Sequence, residues 1–492
     1  MNVEFVQTPL AEIETEILAV GILDGQTHAP TALGAAPVRS FVESLLARGE
    51  ISGSPGELTP IHDPEGLKAR TLLLFGLGKK ATFGPGPAFA AGVALTRKLT
   101  SRARASVSVA LPEGEPDADR DRAFVEGLVV GTRGADLLKT QPDRHPIERL
   151  VLVSAEPGHA ESVRKGVIVG ESVNLARELA NTPPAAKTPT KLAARAREAA
   201  IACGLGIEIW DEARLHDERF GGLLGVAAGS AEPPAFVILN YAHGGDAPWL
   251  ALVGKGVTFD SGGLSLKPSA SMEDMKADMT GAAVVLSTMA AIARLQIPVN
   301  VRGYLPLTEN MTGGHAMKLG DVLTMRNGTT VEILNTDAEG RLILADALSY
   351  AAESQPARIL DLATLTGACV VALGTKVAGL FSNEAAFAGA LVEASARTGE
   401  RLWQLPLDDD YRDALKSQIA DLKNVGGKWG GAITAAKFLQ NFVGEIPWVH
   451  LDIAGPAWSE SEGATRDAGA TGCYVRTLVR LIEESVGWSV PA

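Results

Sequence analysis

One short stretch of the sequence, NTDAEGRL at residues 335–342, places three charged residues at alternate positions. In an extended backbone alternate side chains share one face, so we expect Asp337, Glu339 and Arg341 to project together. In a helix, Glu339 would point well away from the other two. The stretch therefore predicts two carboxylates and one guanidinium at a single site. A surface turn that holds only an internal Arg–Glu ion pair is the alternative interpretation.

The residues on either side predict where this stretch lies in the fold. Residues 331–334 form a largely apolar run that is typical of a strand, and residues 342–348 are typical of a helix. In α/β proteins, sites usually lie where a strand gives way to a helix. We therefore expect the charged residues at a strand-to-helix turn.

A second stretch contributes four more charged candidates in one strand–loop–helix unit. An apolar run at residues 249–253 is typical of a buried strand, and Lys255 and Asp260 follow it. Lys267 lies in the next loop, and Asp278 directly precedes a long run of small and apolar residues that predicts a helix. Ordinary structural roles are the alternatives, since an Asp before a helix is a common N-cap and Lys255 could form an ion pair with Asp260.

The four carboxylates of these stretches indicate a metal site. Like charges disfavour each other's ionisation, so Asp260, Asp278, Asp337 and Glu339 cannot share one pocket as bare anions. Two divalent cations would neutralise them; acid-rich oxygen sites suit Mg or Mn, and Zn also accepts carboxylates. A two-metal cluster generates hydroxide from water and stabilises a tetrahedral intermediate.

The same segments resemble the leucine aminopeptidase family, the cytosolic dimetal exopeptidases of peptidase family M17. The segments that carry the resemblance are residues 253–263, 275–279, 335–342, 361–367 and 450–455. It extends through most of residues 165–485 and is a matter of general shape before them. Residues 317–321 depart from the family pattern, which usually has a proline before the glycine, and this affects a turn outside the candidate site.

The resemblance implies two divalent ions per subunit, Mn²⁺ or Zn²⁺. Asp260, Asp337 and Glu339 would hold the first ion. Lys255 and Asp278 would hold the second, more exchangeable ion together with the bridging residues Asp260 and Glu339. An ammonium cannot ligate a metal, so Lys255 would have to be neutral, and burial beside cations lowers a lysine pKa.

The two remaining cations would act on substrate and proton transfer in such an enzyme. Lys267 would polarise the scissile carbonyl and stabilise the developing oxyanion. The resemblance implies that Arg341 holds a bicarbonate that relays a proton from the bridging water, and a guanidinium fits this planar anion. Charge balance for the carboxylates is the alternative for both residues. Family positions that contact the substrate correspond to Met275, Asn335, Thr364, Leu365 and Gly367.

The composition favours a large α/β protein. The chain has 492 residues, of which 46% are hydrophobic and 53 are glycines, enough for two or three domains. Residues 1–155 alternate short strands with helices and hold no acid, His or Cys constellation; the resemblance implies a macro-domain-like, non-catalytic α/β domain. Residues 156–184 predict a connecting helix. By resemblance, residues 185–492 form the catalytic domain with a central mixed sheet.

Several function classes are disfavoured by composition. The net charge of −13 argues against general nucleic-acid binding. We expect no signal peptide, because the first residues lack a basic region followed by an apolar one, and no apolar run of membrane-spanning length. The three cysteines, Cys203, Cys369 and Cys473, are far apart and predict buried thiols in a reducing compartment. A cytoplasmic location is therefore predicted.

The sequence thus predicts a dimetal aminopeptidase that releases leucine-like N-terminal residues from peptides with a free amine, in intracellular peptide turnover. A dimetal phosphoesterase or nuclease is the rival enzyme class, but such enzymes usually recruit histidines, and none here is at ligand spacing. A DNA-binding architectural or regulatory role, in addition to or instead of peptidase activity, is the rival outside enzymology. A homohexamer follows from the resemblance alone.

Overall fold

Strands and helices alternate along nearly the whole chain in the computed structural model. The part of the chain that it describes contains two large sheets, each of which combines parallel and antiparallel pairs. The α/β class and the central mixed sheet predicted from the sequence are therefore confirmed. The structure describes residues 1–34, 36–113, 117–156 and 158–486.

The chain divides into two compact units. The first unit comprises residues 1–174 together with the short segments 397–399 and 461–468. The second unit comprises the rest of the chain. All the candidate site residues named above therefore belong to the second unit.

A six-stranded sheet forms the centre of the first unit. Its strands are β1 (Asn2–Val6), β2 (Ile17–Asp24), β3 (Leu58–His62), β4 (Thr71–Lys79), β5 (Arg104–Ala110) and β6 (Ile147–Val153). They lie in the order β1-β6-β5-β2-β4-β3, and all neighbours are parallel except β3 and β4. In β4, Leu72 and Leu74 pack into one core and Leu73 and Phe75 into another. Burial on both faces explains the continuous apolar runs.

Helices cover both faces of this first sheet. The helices are α1 (Val38–Ala47), α2 (Pro85–Leu99) and α3 (Ala118–Val130), with 3-10 turns at Leu10–Glu12, Thr31–Leu33 and Lys80–Thr82. Val42 of α1 packs into one core, and Leu95 of α2 and Phe124 of α3 pack into the other. Helix α4 (His159–Asn181) begins in the first unit and ends in the second, and it lies within residues 156–184, for which a connecting helix was predicted.

A nine-stranded sheet forms the centre of the second unit. The strands of this unit are β7 (Gly206–Trp210), β8 (Ala235–Ala242), β9 (Trp249–Gly254), β10 (Gly256–Asp260), β11 (Asn300–Asn310), β12 (Val322–Thr324), β13 (Thr330–Glu332), β14 (Arg358–Ala363), β15 (Ala378–Ser382), β16 (Leu402–Gln404), β17 (Leu422–Lys423), β18 (Trp448–Asp452), β19 (Trp458–Ser459) and β20 (Gly469–Ala470). The large sheet has the order β16-β15-β18-β14-β9-β11-β8-β7, and β10 pairs with β11. Strands β12, β13 and β17 form a separate small sheet, and β19 pairs with β20.

The central strands β9, β11, β14 and β18 run parallel, so their carboxyl ends meet at one edge of the large sheet. Ligands bind at this edge in open α/β sheets. Lys255 interrupts the extended segment between β9 and β10, and its backbone N–H donates to the carbonyl of Leu362 at 3.0 Å. The strand predicted over residues 249–253 is therefore followed by a second one, which the sequence did not indicate.

The helices of the second unit include one that is almost entirely buried. The helices are α5 (Pro189–Cys203), α6 (Glu212–Asp217), α7 (Gly221–Ala227), α8 (Ser269–Met272), α9 (Thr280–Leu295), α10 (Gly340–Glu353), α11 (Gly367–Leu373), α12 (Ala385–Thr398), α13 (Gly431–Gln440) and α14 (Val475–Glu484), with 3-10 turns at Pro184–Ala186, Met275–Ala277 and Asp409–Leu415. The stretch Ser269–Leu295 meets the length and hydropathy of a membrane span, contrary to expectation, but 89% of its most apolar window is buried in the protein. Its long helix, α9, is better described as a core helix.

Candidate active site

Six charged residues lie together at the carboxyl edge of the large sheet. We call this group the acidic centre; its members are Lys255, Asp260, Lys267, Asp278, Asp337 and Glu339. Lys255 occupies the break between β9 and β10, and Asp260 ends β10. Asp278 precedes α9, and Glu339 precedes α10. The two sequence stretches that predicted the site are thus brought together at one sheet edge.

The extended conformation predicted for residues 335–342 is wrong. The strand β13 ends at Glu332, and a turn follows in which the Asp337 backbone N–H donates to the Asn335 side-chain oxygen at 2.9 Å. Glu339 already has helical backbone angles, φ −80° and ψ −36°, and Arg341 lies in the first turn of α10. Asn side chains favour such turns because they bond the backbone two residues on. The turn, and not a shared strand face, brings the carboxylates together.

Lys255 is almost completely buried in the acidic centre, at 3% exposed. Its Nζ lies 2.8 Å from Asp278 Oδ1 and 2.8 Å from Glu339 Oε1, and it donates to the Thr364 carbonyl at 3.0 Å. A Cβ at Gly340 would lie 2.7 Å from this Nζ. A glycine is therefore needed directly after Glu339 so that the amine can reach both carboxylates.

Lys267 joins the other two carboxylates. Its Nζ lies 2.9 Å from Asp260 Oδ2 and 2.6 Å from Asp337 Oδ1. Asp260 is oriented from its other side, because Oδ1 accepts from the Gly262 backbone at 2.9 Å and from Asn310 Nδ2 at 2.8 Å. Hydrogen bonds of this kind fix the direction in which a ligating carboxylate points.

The donor set fits a divalent cation. Asp260, Asp337 and Glu339 each offer an oxygen, and these oxygens all lie within 4.8 Å of one another. The second oxygens of Glu339 and Asp278 are buried and have no hydrogen-bond partner in the described structure. Buried unpaired carboxylate oxygens are unfavourable, and carboxylates are preferred ligands of Mn²⁺ and are accepted by Zn²⁺.

The charges of the acidic centre do not balance. Its four carboxylates face two ammonium groups, which leaves an excess of two negative charges when all six are ionised. Burial raises the pKa of Glu339, and repulsion from Asp260 raises it further, although Lys255 offsets part of the rise. Burial also raises the pKa of Asp278 and of Asp337. An added cation would stabilise the ionised carboxylates and reverse these shifts.

The two lysines are strongly held in their charged form. Burial lowers the pKa of Lys255, but attraction to Asp278 and Glu339 outweighs it, so the pKa lies above the ordinary lysine value. The same balance raises the pKa of Lys267 beside Asp260. Lys255 could therefore become a metal ligand only when a cation displaces its proton.

Arg341 is buried next to the acidic centre. Its Nη1 donates to the Asn424 carbonyl at 2.7 Å, and its Nε is buried with no partner among the residues described. Burial lowers the pKa of Arg341 to about 10, although Glu339 and Asp452 oppose this shift. The alternative Arg–Glu ion pair is not found in the described structure, where Glu339 pairs with Lys255.

Of the residues predicted to contact the substrate, some contact the acidic centre and others lie on the loops around it. Thr364 Oγ1 donates to Asp278 Oδ1 at 2.7 Å, so this residue contacts the acidic centre directly. Asn335 lies in the turn described above. Met275 begins the 3-10 turn before Asp278 and is half-buried. Two others lie on the loop after β14, the half-buried Leu365 and the exposed Gly367, which begins α11.

Sequence reasoning missed three residues that support the site. Asn310 ends β11 and, besides Asp260, bonds the Thr336 carbonyl at 3.0 Å. Asp452 ends β18 and accepts from Thr366 Oγ1 at 2.6 Å, which fixes the loop after β14. Both are polar residues at the carboxyl end of an apolar strand, a signal that could have found them. Asn424 has no comparable signal.

Two further buried polar residues of the second unit have structural contacts. His450 is fully buried, and its Nδ1 lies 2.6 Å from Asp361 Oδ1. Asp346, inside α10, accepts from the backbone of Leu223 at 2.9 Å and of Arg326 at 2.8 Å. These bonds tie α10 to α7 and to the small sheet, which is consistent with a packing role.

Comparisons with known proteins agree over nearly the whole chain. The family model described as "Cytosol aminopeptidase family, catalytic domain" matches residues 174–479, and that described as "Cytosol aminopeptidase family, N-terminal domain" matches residues 19–142. A probable cytosol aminopeptidase of Rhodopirellula baltica is 47% identical over 94% of this chain and 91% of its own length. Another, from Solibacter usitatus, is 42% identical over 98% of this chain and 99% of its own.

Solved structures show the same fold. The bottromycin maturation enzyme BotP in complex with Mn superposes with a TM-score of 0.86 at 38% identity, covering 96% of this chain and 100% of that one. A mutant of tomato leucine aminopeptidase superposes with a TM-score of 0.86 at 33% identity, covering 98% of this chain and 96% of that one.

The fold and the acidic centre, together with these matches, define a metallopeptidase that acts on the amino ends of peptides. The chain belongs to the cytosol aminopeptidase family, peptidase family M17. The family resemblance seen in the sequence is therefore confirmed, and it extends into the first unit, where the sequence showed only a general likeness.

Proposed function

We propose that this chain is a dimetal aminopeptidase that removes leucine-like residues from peptides with a free amino terminus and serves intracellular peptide turnover. The observation that carries the proposal is the convergence of four carboxylates on two lysines at one sheet edge. An excess of buried negative charge suits two divalent cations. The name of a relative, tomato leucine aminopeptidase, supports the side-chain preference.

The proposed ligand sets divide the acidic centre in two. Asp260, Asp337 and Glu339 would hold one ion, which their mutual distances of at most 4.8 Å support. Lys255 and Asp278 would hold the other, with Asp260 and Glu339 shared. Lys255 Nζ already lies 2.8 Å from the carboxylates of Asp278 and Glu339. A divalent cation bound among these three groups would replace an ammonium proton of Lys255, and the neutral amine would then be a ligand. Mn²⁺ or Zn²⁺ suits this set.

Two divalent cations, when bound, supply a hydroxide nucleophile and polarise the substrate carbonyl. Lys267 would donate a hydrogen bond to the carbonyl oxygen as negative charge develops on it. Its ammonium is held between Asp260 and Asp337, and its side chain is 16% exposed, compared with 4% for Lys255. It is therefore the more accessible of the two lysines to an incoming peptide.

Arg341 would bind a small planar anion that shuttles the proton to the leaving amine. A guanidinium offers two parallel N–H donors to such an anion, and bicarbonate has this shape. The buried Nε of Arg341 without a partner supports an anion at this position. Met275, Asn335, Thr364, Leu365 and Gly367 would contact the substrate.

We propose that residues 1–155 form a non-catalytic domain, that residues 156–184 connect it, and that residues 185–492 form the catalytic domain. A homohexamer in the cytoplasm is proposed from the family resemblance, and relatives are named as cytosol aminopeptidases. Light scattering that gives a monomer at micromolar concentration would remove the assembly from this proposal.

One pair of substrates tests the function. The free amine of the substrate would contact the more exchangeable ion, so leucyl p-nitroanilide should be hydrolysed in Mn²⁺ and its N-acetyl form should not. Loss of a recognised polar contact of this kind reduces turnover by about four to five orders of magnitude. Equal rates on the two substrates would exclude an aminopeptidase, and a chelator control would show whether the hydrolysis depends on metal.

A further inference from the structure

We infer that Asn424 is a positioning residue for the acidic centre: its side-chain amide sets the turn that carries Asp337, and its backbone carbonyl holds Arg341. This inference rests on the proposed function, since it assigns a role in the same reaction. Asn424 is fully buried and lies directly after β17, a strand of only two residues in the small sheet.

Asn424 lies at the end of the small sheet, directly after the last paired residue of β17. Strand β17 runs parallel to β13, with Glu332 opposite Lys423, and the Asn424 backbone N–H donates to the Glu332 carbonyl at 3.0 Å. Beyond Glu332 the chain leaves β13 and enters the turn. No further backbone pair between these two strands is present in the described structure.

The amide of Asn424 then takes the place of a peptide group. Its Oδ1 accepts from the backbone of Leu334 at 2.9 Å and of Asn335 at 3.4 Å, and its Nδ2 donates to the Asn335 carbonyl at 2.6 Å. A longer contact of 3.5 Å joins Nδ2 to the Ala338 carbonyl. An amide offers both donor and acceptor, as a peptide group does. It therefore continues the pairing for one step past the end of the strand.

Two short paths lead from Asn424 to functional groups. The Asn335 backbone is held by the amide, and the Asn335 side chain accepts from the Asp337 N–H at 2.9 Å. The Asn424 carbonyl accepts from Arg341 Nη1 at 2.7 Å. One residue thus contacts the turn before Glu339 and the guanidinium after it. Its removal would leave buried backbone groups unpaired at this turn, which is unfavourable.

A second buried asparagine provides a matched control. Asn300, at the opposite end of β11 from Asn310, donates to the carbonyls of Gly245 at 2.9 Å and Ala247 at 2.7 Å. Its Oδ1 accepts from the Gly244 N–H at 2.9 Å. It therefore makes a similar number of bonds to a loop, but at the amino edge of the sheet, away from the acidic centre. A purely structural role for Asn424 predicts that both residues behave alike.

The test compares Asn424→Ala, Asn300→Ala and wild type by Mn²⁺ affinity, kcat per folded molecule and thermal midpoint. Mn²⁺ affinity is measured by calorimetry on chelator-treated protein. We expect both variants to lower the midpoint, and only Asn424→Ala to lower Mn²⁺ affinity and kcat, each about 10- to 100-fold, as loss of a residue that orients metal ligands does. Asn424→Asp, which keeps the acceptor and the volume but loses the donor, is the second variant if alanine prevents folding.

Wild-type Mn²⁺ affinity and kcat in the Asn424 variant would overturn the inference, and so would equal losses in Asn300→Ala. The Mn²⁺ measurement needs no turnover. A wild type that binds Mn²⁺ without hydrolysing leucyl p-nitroanilide would therefore count against the proposed function, while the difference in Mn²⁺ affinity between the two variants would still decide the role of Asn424.

Discussion

The two units of the chain treat buried charge differently. In the first unit, Arg122 Nε lies 2.9 Å from Glu126 Oε1, and Arg120 Nη2 lies 2.7 Å from Asp121 Oδ1, so buried cations there face buried acids. In the second unit, two lysines face four carboxylates at the acidic centre. Paired buried charges compensate each other without an added ion, whereas surplus buried carboxylates need an external cation. The surplus therefore distinguishes a site from a structural ion-pair cluster.

The largest loss of activity is expected from removing one of the four carboxylates of the acidic centre. Glu339→Gln should lower metal content and reduce kcat by about three orders of magnitude or more, because the carboxylate is proposed to contact both ions. The matched control is Glu126→Gln in the first unit, which should lower the thermal midpoint but leave kcat unchanged. Metal analysis and leucyl p-nitroanilide kinetics on both variants are the measurements. Full activity of the Glu339 variant with two bound ions would remove this residue from the ligand set.

A smaller loss is expected at Arg341, which contacts no carboxylate of the acidic centre directly in the described structure. Arg341→Ala should reduce kcat about 100-fold, the size typical of a lost electrostatic contact in the transition state, and leave metal content close to wild type. Addition of bicarbonate should stimulate the wild type more than the variant. Loss of both ions together with the rate would show that Arg341 is structural.

Crowding of Lys255 by a substitution at Gly340 should cause a smaller loss of kcat than the Arg341 substitution. In Gly340→Ala the new methyl group would lie 2.5 Å from Lys255 Cε and 2.7 Å from its Nζ, so the amine has to move away from Glu339. We expect about a 10-fold loss of kcat and of metal affinity. Gly389 in α12 has nothing within 4 Å of an added Cβ; Gly389→Ala should instead stabilise the protein by about 0.5–1 kcal/mol. Similar kcat and metal affinity in the two glycine variants would contradict the close packing of Lys255 against Gly340.

The smallest effect on catalysis is expected at Lys187, a buried lysine outside the acidic centre, where the expected change is in stability instead. Lys187 Nζ donates to the Ala180 carbonyl at 3.1 Å and the Lys276 carbonyl at 2.6 Å, and burial lowers its pKa from 10.5 to about 7. Between pH 7 and 10.5 the unfolded chain binds a proton that the folded chain does not, so stability rises with pH by about 1.4 kcal/mol per unit. This contribution is fully present above pH 10.5 and is lost as the pH falls through 7.

The measurement for Lys187 is the free energy of unfolding in urea at pH 7 and pH 9. Wild type should gain stability over this interval relative to Lys187→Met, whose pH profile lacks this titration. Identical profiles would show that the Lys187 amine keeps its ordinary pKa. Lys255, which faces carboxylates, has its pKa shifted in the opposite direction, so the two lysines separate the effect of burial from that of charge.

The sequence by itself determined the residue types of the site and the elements that carry them. Lys255, Asp260, Lys267 and Asp278 are fixed within one strand–loop–helix unit, because an apolar run and a helical run bracket them. Local patterns such as these depend on neighbours in the chain, which is why the strand predicted over residues 249–253 is found as Trp249–Gly254.

Tertiary structure alone decided how the charges meet. Residues 335–342 have the spacing of a strand face, but Asn424, about 90 positions later in the chain, bonds the backbone of Leu334 and Asn335, while α10 begins at Gly340. Contacts across such a separation depend on the register of β13 against β17, and no local preference encodes that register. The pairing of Lys255 with Glu339 and of Lys267 with Asp337 likewise exists only once the sheet edge has formed.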